Sequence, residues 1–315
     1  MPAVKAADPR KIFARDDWSA ITRVSRWRGI WLIVHCWATI FGIAAVATWW
    51  GNPVGYLLAI ILIGGRQLGL AILMHDAAHG HLHPDRKVNN FLGQWPTGAA
   101  AGTDLQAYRT YHLTHHKFTQ QFEDPDLSLS KPFPTSGASM ARKVLRDLTG
   151  IVFFCQRYAQ AKMAIKSFTP GTKEQNIFIG KAFLRFLAVQ ILLLTFSLAI
   201  YGWTPFLLWF VAMATTFQLF LRIRNIAEHA CTTTGSEDPF THARTTKANW
   251  LERFTVAPYW VNYHSEHHLF MGVPCYNLRR AHALLGAGNY HQRMTISPGY
   301  LDVLRQVIAK ANRPA

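Results

Sequence analysis

The stretch PVGYLLAIILIGGRQLGLAILMHDAAH, residues 53–79, decides the fold. From Pro53 to Met74 it is apolar apart from Arg66 and Gln67, and at about 1.5 Å per residue such a helix crosses a hydrocarbon layer of roughly 30 Å. His75 and His79 follow at once, four residues apart and therefore on one helix face. A span of this kind delivers two imidazoles just past its own end. Outward from it, Gly29–Trp50 is an equally apolar run, joined through Gly51-Asn52-Pro53, and a second pair, Ala182–Tyr201 and Pro205–Leu221, is joined through Gly202-Trp203-Thr204. Joints this short, built of turn residues, close antiparallel helical hairpins. None of the four runs carries the polar stripe of period 3.6 that a soluble bundle would show. The expected fold is an all-α integral membrane protein with four transmembrane helices in two hairpins. It is one domain, with 1–28 as an N-terminal segment, 29–74 and 182–222 as the hairpins, and 75–181 and 223–315 as a helical cap.

The net charge of +16 suggests nucleic acid only until the 33 Lys and Arg residues are located. Seven lie in Met1–Arg28, 13 between His79 and Lys181, 11 from Arg222 onward, and none in the two hairpin turns. This is the positive-inside pattern; it predicts that both termini and the cap are cytoplasmic, at the inner membrane in a bacterium, and it removes the argument for nucleic acid. Trp49, Trp50, Tyr201 and Trp203 fall at the opposite ends of the helices, where amphipathic rings settle at an interface. The first apolar run is too long for a signal-peptide core and reads as a retained anchor. Cys36, Cys155, Cys231 and Cys275 form no Cys-x-x-Cys pair, so a zinc ribbon and a dithiol redox motif are both excluded.

The 15 histidines are clustered. After His75 and His79 come His112-Leu113-Thr114-His115-His116 and His264-Ser265-Glu266-His267-His268, all on the predicted cytoplasmic side. On a helix, positions i, i+3 and i+4 share a face, so each His-x-x-His-His aims up to three imidazoles at one volume. One such box is expected by chance roughly 0.03 times in a chain of this histidine content, and two are present. The last span ends Asn225-Ile226-Ala227-Glu228-His229, which puts Asn225 and His229 on one face, as span two does with His75 and His79. Eight or nine imidazoles exceed what one ion accepts and argue for two metals, without identifying the element. Asp76, Glu228 and Glu266 adjoin these histidines and are candidates to accept a second ring N–H. His81 and His83 turn away from the His75/His79 face; His242, His282 and His291 lack ligand spacing and read as surface groups. His35, inside the first span, is expected to pack between helices, and Arg66 to face the bundle.

The three boxes, their order and their flanks resemble the membrane fatty acid desaturase family from about Leu73 to Leu285. The flanks are Asp124-Pro125-Asp126 after the second box, Asn262-Tyr263 before the third, and Leu269-Phe270 and Val273-Pro274-Cys275-Tyr276-Asn277-Leu278 after it. The resemblance implies two Fe2+ ions with O2 as co-substrate, and a double bond introduced into an acyl-lipid or acyl-thioester drawn from the membrane. It makes His75, His79, His112, His115, His116, His229, His264, His267 and His268 the metal ligands, with Asn225 meeting a metal through water. It also implies an external electron donor, ferredoxin-like or a haem carrier, since no His-Pro-Gly-Gly signature and no four-cysteine set is present. Arg142, Lys143, Arg146, Arg157, Lys162 and Lys166 form a basic stretch expected to lie on anionic lipid, with guidance of an acidic partner as the alternative. Box spacing does not separate desaturation from hydroxylation or carotenoid ketolation, which similar boxes serve; a histidine-rich metal or proton transporter is the alternative from another class.

Overall fold

Four helices carry the apolar runs and have the length and composition to cross a membrane: Arg28–Trp50, Pro53–Ala78, Ile177–Ile200 and Thr204–His229. The computed structural model describes residues 4–167, 169 and 174–308. In chain order it comprises α1 (Arg15–Thr22), α2 (Arg28–Trp50), α3 (Pro53–Ala78), α4 (Arg86–Gly93), α5 (Leu105–Phe118), α6 (Leu127–Ser130), α7 (Gly137–Leu148), α8 (Ile151–Lys166), α9 (Glu174–Ile200), α10 (Thr204–Ala214) and α11 (Thr216–His229). Strand β1 (Arg244–Thr246), α12 (Trp250–Phe254), α13 (His264–Leu269), α14 (Leu278–Ala287), β2 (Thr295–Ser297) and α15 (Tyr300–Val307) complete it. The chain divides into two compact units, one from residues 26–109 and 144–221, the other from the described parts of 1–25, 110–143 and 222–315.

The first unit holds the hairpins. The α2–α3 joint works as its sequence requires: Gly51 takes φ 62° and returns its N–H to Ala47 O at 3.0 Å. Asn52 then caps α3 by accepting from Val54 N at 2.8 Å, and Pro53 sits in the first turn, where a missing N–H costs nothing. In the second hairpin Gly202 takes φ 75°, and Ser197 Oγ donates to its carbonyl at 2.6 Å. The last span is interrupted at Thr215 (φ −123°, ψ −84°), after which α11 begins, and Thr216 Oγ1 donates to Ile60 O of α3 at 2.7 Å. That close approach exists because position 64 is glycine; a Cβ there would stand 2.1 Å from Thr216 Oγ1.

Arg66 is buried, as expected of a cation inside a span. The core around it is polar: Cys36 Sγ donates to Arg66 O at 3.1 Å, Gln67 Nε2 to Trp209 O at 2.8 Å, and Trp209 Nε1 to Gln190 Oε1 at 2.8 Å. Gln218 donates to Met213 O at 3.1 Å. His35 is a correction. Leu32, Ile33, Cys36 and Ile40 set the buried face of α2, and His35 falls on its exposed side. In α8 the exposed stripe Ile151, Phe154, Tyr158 and Ile165 alternates with Lys162 and Lys166, but Arg157 turns inward over the rings of Phe153 and Phe186 and so leaves the basic surface.

Two side chains fasten the C-terminal end of α3, whose last carbonyls have no partner within the helix. Arg109 donates from Nε to Ala78 O at 2.8 Å and from Nη2 to Ala77 O at 3.0 Å, while Asn89 Nδ2 also reaches Ala77 O at 2.9 Å. Just beyond, the backbone of Leu82 runs over the start of α2 at Gly29, where a Cβ would lie 2.2 Å from Leu82 O.

In the second unit, β1 and β2 pair in parallel with Thr245 opposite Ile296, and Thr245 also bridges to Tyr263, the residue before α13. Arg244 is fully buried and donates to Ala227 O at 3.1 Å and Ala230 O at 2.8 Å, so it closes the C-terminal end of α11 as Arg109 closes that of α3.

Because the Gly29 contact is with backbone, it has no flexible neighbour to yield. Gly29→Ala is expected to cost about 1–3 kcal/mol of overpacking. Gly42→Ala, on the same helix with nothing within 4 Å of its Cβ position, is expected to be neutral or stabilising. Heating each purified variant and measuring the monodisperse fraction by fluorescence-detected size exclusion checks the pair; equal behaviour would contradict the assignment.

Candidate metal centre

Helix α5 is capped by Asp104, which accepts from Gln106 N and Ala107 N, both at 3.0 Å. Its last two turns carry His112, His115 and His116, all buried. The i, i+3, i+4 spacing splits between two groups. His116 Nε2 lies 3.0 Å from His112 Nε2 and 3.0 Å from His267 Nε2 of α13. His115 instead faces His229, His264 and His268, and these four offer ring nitrogens within 4.8 Å of one another. In that group His229 Nε2 is 3.2 Å from His115 Nε2 and 2.9 Å from His264 Nε2, and His268 Nε2 is 3.0 Å from His264 Nε2.

Hydrogen bonding at the opposite ring edge fixes what those Nε2 atoms are. His229 Nδ1 lies 3.0 Å from His242 O, a carbonyl that can only accept, so the proton is on Nδ1. His115 Nδ1 donates to Asp124 Oδ1 at 2.8 Å. His268 Nδ1 is 3.2 Å from Thr119 Oγ1, whose own hydrogen goes to His115 O at 2.8 Å. His264 Nδ1 is 3.3 Å from Glu228 Oε1. His115, His229 and His268 therefore present Nε2 lone pairs, which crowd one another and His264 Nε2. Burial, and after it the neighbouring imidazoles, pushes His268 well below the usual histidine range, so protonation does not relieve the repulsion. A cation does. At metal–nitrogen distances of about 2.0–2.1 Å, neighbouring ligands on one ion stand about 3 Å apart, which is the spacing found. The donor set, all imidazole with the second nitrogens of His115, His229 and His268 tied to acceptors, fits a first-row divalent ion.

In the other unit His75 and His79 stand one turn apart at the end of α3, ring centroids 5.3 Å from each other. His79 is kept neutral by burial, helped by His81 and Arg109, which lower it to about 3. Asn225 lies one turn before His229, and its Oδ1 accepts from Arg224 Nη1 at 3.1 Å.

The carboxylates beside the boxes serve neighbours across the chain. Glu228 faces His264, with Arg224 Nε 2.5 Å from its Oε1. Asp76 lies 3.4 Å from the buried His81, and His83 Nδ1 accepts from Asp85 N at 2.9 Å, which leaves both histidines off the ligand face. Glu266 turns away, taking the Thr245 hydroxyl and His282 Nδ1, the latter at 2.5 Å.

His242, read from spacing as a surface group, is buried, and its carbonyl holds His229. His282 and His291 are half-buried, stacked 4.2 Å apart behind Glu266. Sequence reading also missed Thr119, Gln120 and Arg244. Gln120 adopts φ 59°, which aims its N–H at Asp124 Oδ2 (2.8 Å) and lets its carboxamide reach His229 O (2.9 Å). Only Asp124 had a legible signal, the Asp-Pro-Asp run nine residues past His115.

Asp124 holds the orientation and basicity of His115, so Asp124→Asn is expected to weaken metal binding about 10- to 100-fold with little loss of folded protein. Chelator-competition titration of the purified protein reads this, and unchanged affinity would show that the contact does not tune the ligand.

Residues 47–300 match the family model described as fatty acid desaturase. The chain is 28% identical over 268 residues to dihydrorhizobitoxine desaturase of Bradyrhizobium elkanii, covering 81% of this chain and 71% of that protein. It is 22% identical over 296 residues to the sn-1 oleoyl-lipid 12-desaturase of Picosynechococcus sp., covering 87% and 79%. It is 32% identical over 106 residues to a beta-carotene ketolase of Paracoccus sp., covering 32% and 40%. With most of its length inside one family model and the histidine boxes folded into ion-sized groups, the chain belongs to the fatty acid desaturase family.

Proposed function

We propose that this chain is an O2-dependent desaturase that inserts a carbon–carbon double bond into an acyl chain at a centre of two iron ions. The observation that carries this reading is the group His115, His229, His264 and His268, whose facing Nε2 lone pairs call for a cation. These four are proposed as ligands of one ion. His112, His116 and His267 are proposed for the other, with His75 and His79 adding two nitrogens; three imidazoles leave a first-row ion room for them. Asn225 is proposed to meet an ion through water.

Bound iron would supply the one-electron chemistry that reduces O2 and removes hydrogen from methylenes. The chain's own residues do the remaining work. Imidazoles with Nδ1 tied to Asp124, Thr119 and His242 O keep their orientation, and the burial of the group keeps bulk water from the centre. Regiochemistry follows from which methylene pair an apolar channel brings to the metals, because adjacent methylenes are chemically alike. The electron donor is proposed to be a separate ferredoxin-like or haem protein. The distribution of Lys and Arg supports cytoplasmic termini and a cytoplasmic centre.

Membership of a desaturase family supports an oxidoreductase over a transporter. Between the enzymatic readings, dihydrorhizobitoxine desaturase and the sn-1 oleoyl-lipid 12-desaturase align over 81% and 87% of the chain and the ketolase over 32%, which supports desaturation, and the second of the two supports an acyl chain as its target. Carotenoid ketolation or hydroxylation is the second reading.

Expression in a host with analysable lipids, with and without a carotenoid pathway, tests this. New unsaturated fatty acids are expected by gas chromatography, and His115→Ala or His267→Ala is expected to abolish them while the protein stays in the membrane fraction. Oxidised carotenoids with unchanged fatty acids would support the ketolase; activity surviving either substitution would sink the two-metal centre.

A further inference from the structure

We propose that the hairpin-turn half of the spans holds a preformed well for one hydrocarbon chain of a neighbouring bilayer lipid. The well lies in the first unit between α2, α9 and α10, has a volume of about 230 Å³, and is walled by Phe41, Ala44, Phe196, Ser197, Phe206 and Trp209. It is larger than the roughly 150 Å³ apolar cavity that stays dry and accepts benzene in a soluble protein. Ala44 is small and buried, which leaves the space open on the α2 side. Phe41 and Phe196, ring centroids 5.7 Å apart, are both partly exposed at the rim, so the well faces sideways out of the bundle.

The walls are apolar except for Ser197, the Trp209 indole N–H and the exposed Tyr201. The Ser197 hydroxyl donates to Gly202 O at 2.6 Å and accepts from Phe206 N at 3.1 Å, which uses it in both directions. The occupant is therefore aliphatic, and in a bilayer the abundant aliphatic species are lipid tails. Within hydrocarbon no hydrophobic force draws a chain in; dispersion contact with rigid walls does, because an empty well would leave its lining without partners.

The floor separates this chain from one that must reach His75 at the other end of α3. Trp37 stacks on Trp209 at 5.2 Å and 22°. The Trp37 indole donates to Pro96 O at 2.8 Å and that of Trp209 to Gln190 Oε1 at 2.8 Å, so both rings are fixed. Below them Gln67 donates to Trp209 O. A tail running from the well toward His75 would have to part the stack and this amide layer, so the well is assigned to a bilayer lipid and not to the substrate.

The test uses the full chain in phosphatidylcholine nanodiscs in which one acyl chain carries a diazirine near its methyl end. After irradiation, label is expected on peptides covering residues 40–45 and 193–209. Ala44→Phe fills the well and is expected to cut that label roughly five-fold or more, with metal content and double-bond formation in the host unchanged. Label undiminished by Ala44→Phe overturns the proposal, and so does a parallel fall in double-bond formation, which would give the well to the substrate's own tail. If Ala44→Phe does not accumulate, Phe206→Ala widens the well and is expected to raise labelling; no rise there overturns the proposal equally.

Discussion

Imidazole lone pairs facing each other at about 3 Å in a buried site are the constraint on which the rest of the second unit depends. Water cannot mediate between them once the rings are buried, and protonating one ring carries the full cost of desolvating a charge. The rings nevertheless converge, because each is held from behind by a different piece of chain. Asp124 comes from the loop after α5, Thr119 from the end of α5, His242 from the loop before β1, and Glu228 from α11. The folded backbone thus holds the nitrogens in an arrangement that is unfavourable alone and favourable around a cation, so binding an ion stabilises the surrounding loops as well as the rings.

Helices end where ligands are wanted, and a buried helix end needs partners for its carbonyls. The two helices that deliver histidines beyond the spans meet this in the same way. Arg109 closes α3 behind His75 and His79, and Arg244 closes α11 behind His229. A guanidinium suits the task because it carries several donors in a fixed plane and its charge is favourable against the negative end of the helix dipole. Lysine could neutralise the dipole but could not reach two carbonyls in that geometry.

The histidine pattern was legible because it is local. Spacing of i, i+3, i+4 is written within five residues, and the apolar runs and their Gly-Asn-Pro and Gly-Trp-Thr joints are equally short-range. What holds the ligands was not legible. Arg109 acts 31 residues from Ala78, Arg244 acts 17 residues from Ala227, and His242 acts through its backbone, where side-chain identity carries no signal. His242 and His282 look like stray histidines for the same reason: their partners are remote in sequence. Helix phase outweighs polarity at His35: the buried Leu32, Cys36 and Ile40 place it on the outer side of α2. The boxes also do not reveal that one helix serves two groups, with His115 and His116 pointing to different neighbours.

Charge balance explains why carboxylates stand one bond behind the rings instead of among them. A divalent ion held by four neutral imidazoles keeps its full charge, which is costly in a buried site. Direct carboxylate ligation would neutralise it, and a carboxylate behind a ring does so at one remove. Asp124 behind His115 returns negative charge at the distance of one imidazole, whereas burial raises Glu228, behind His264, to about 8 and keeps it largely protonated near neutral pH. Arg224, 2.5 Å from Glu228, opposes that rise without cancelling it. A cation on the Nε2 side of these rings would favour the charged form of Glu228, so the second carboxylate would gain its charge only together with the ion that needs it.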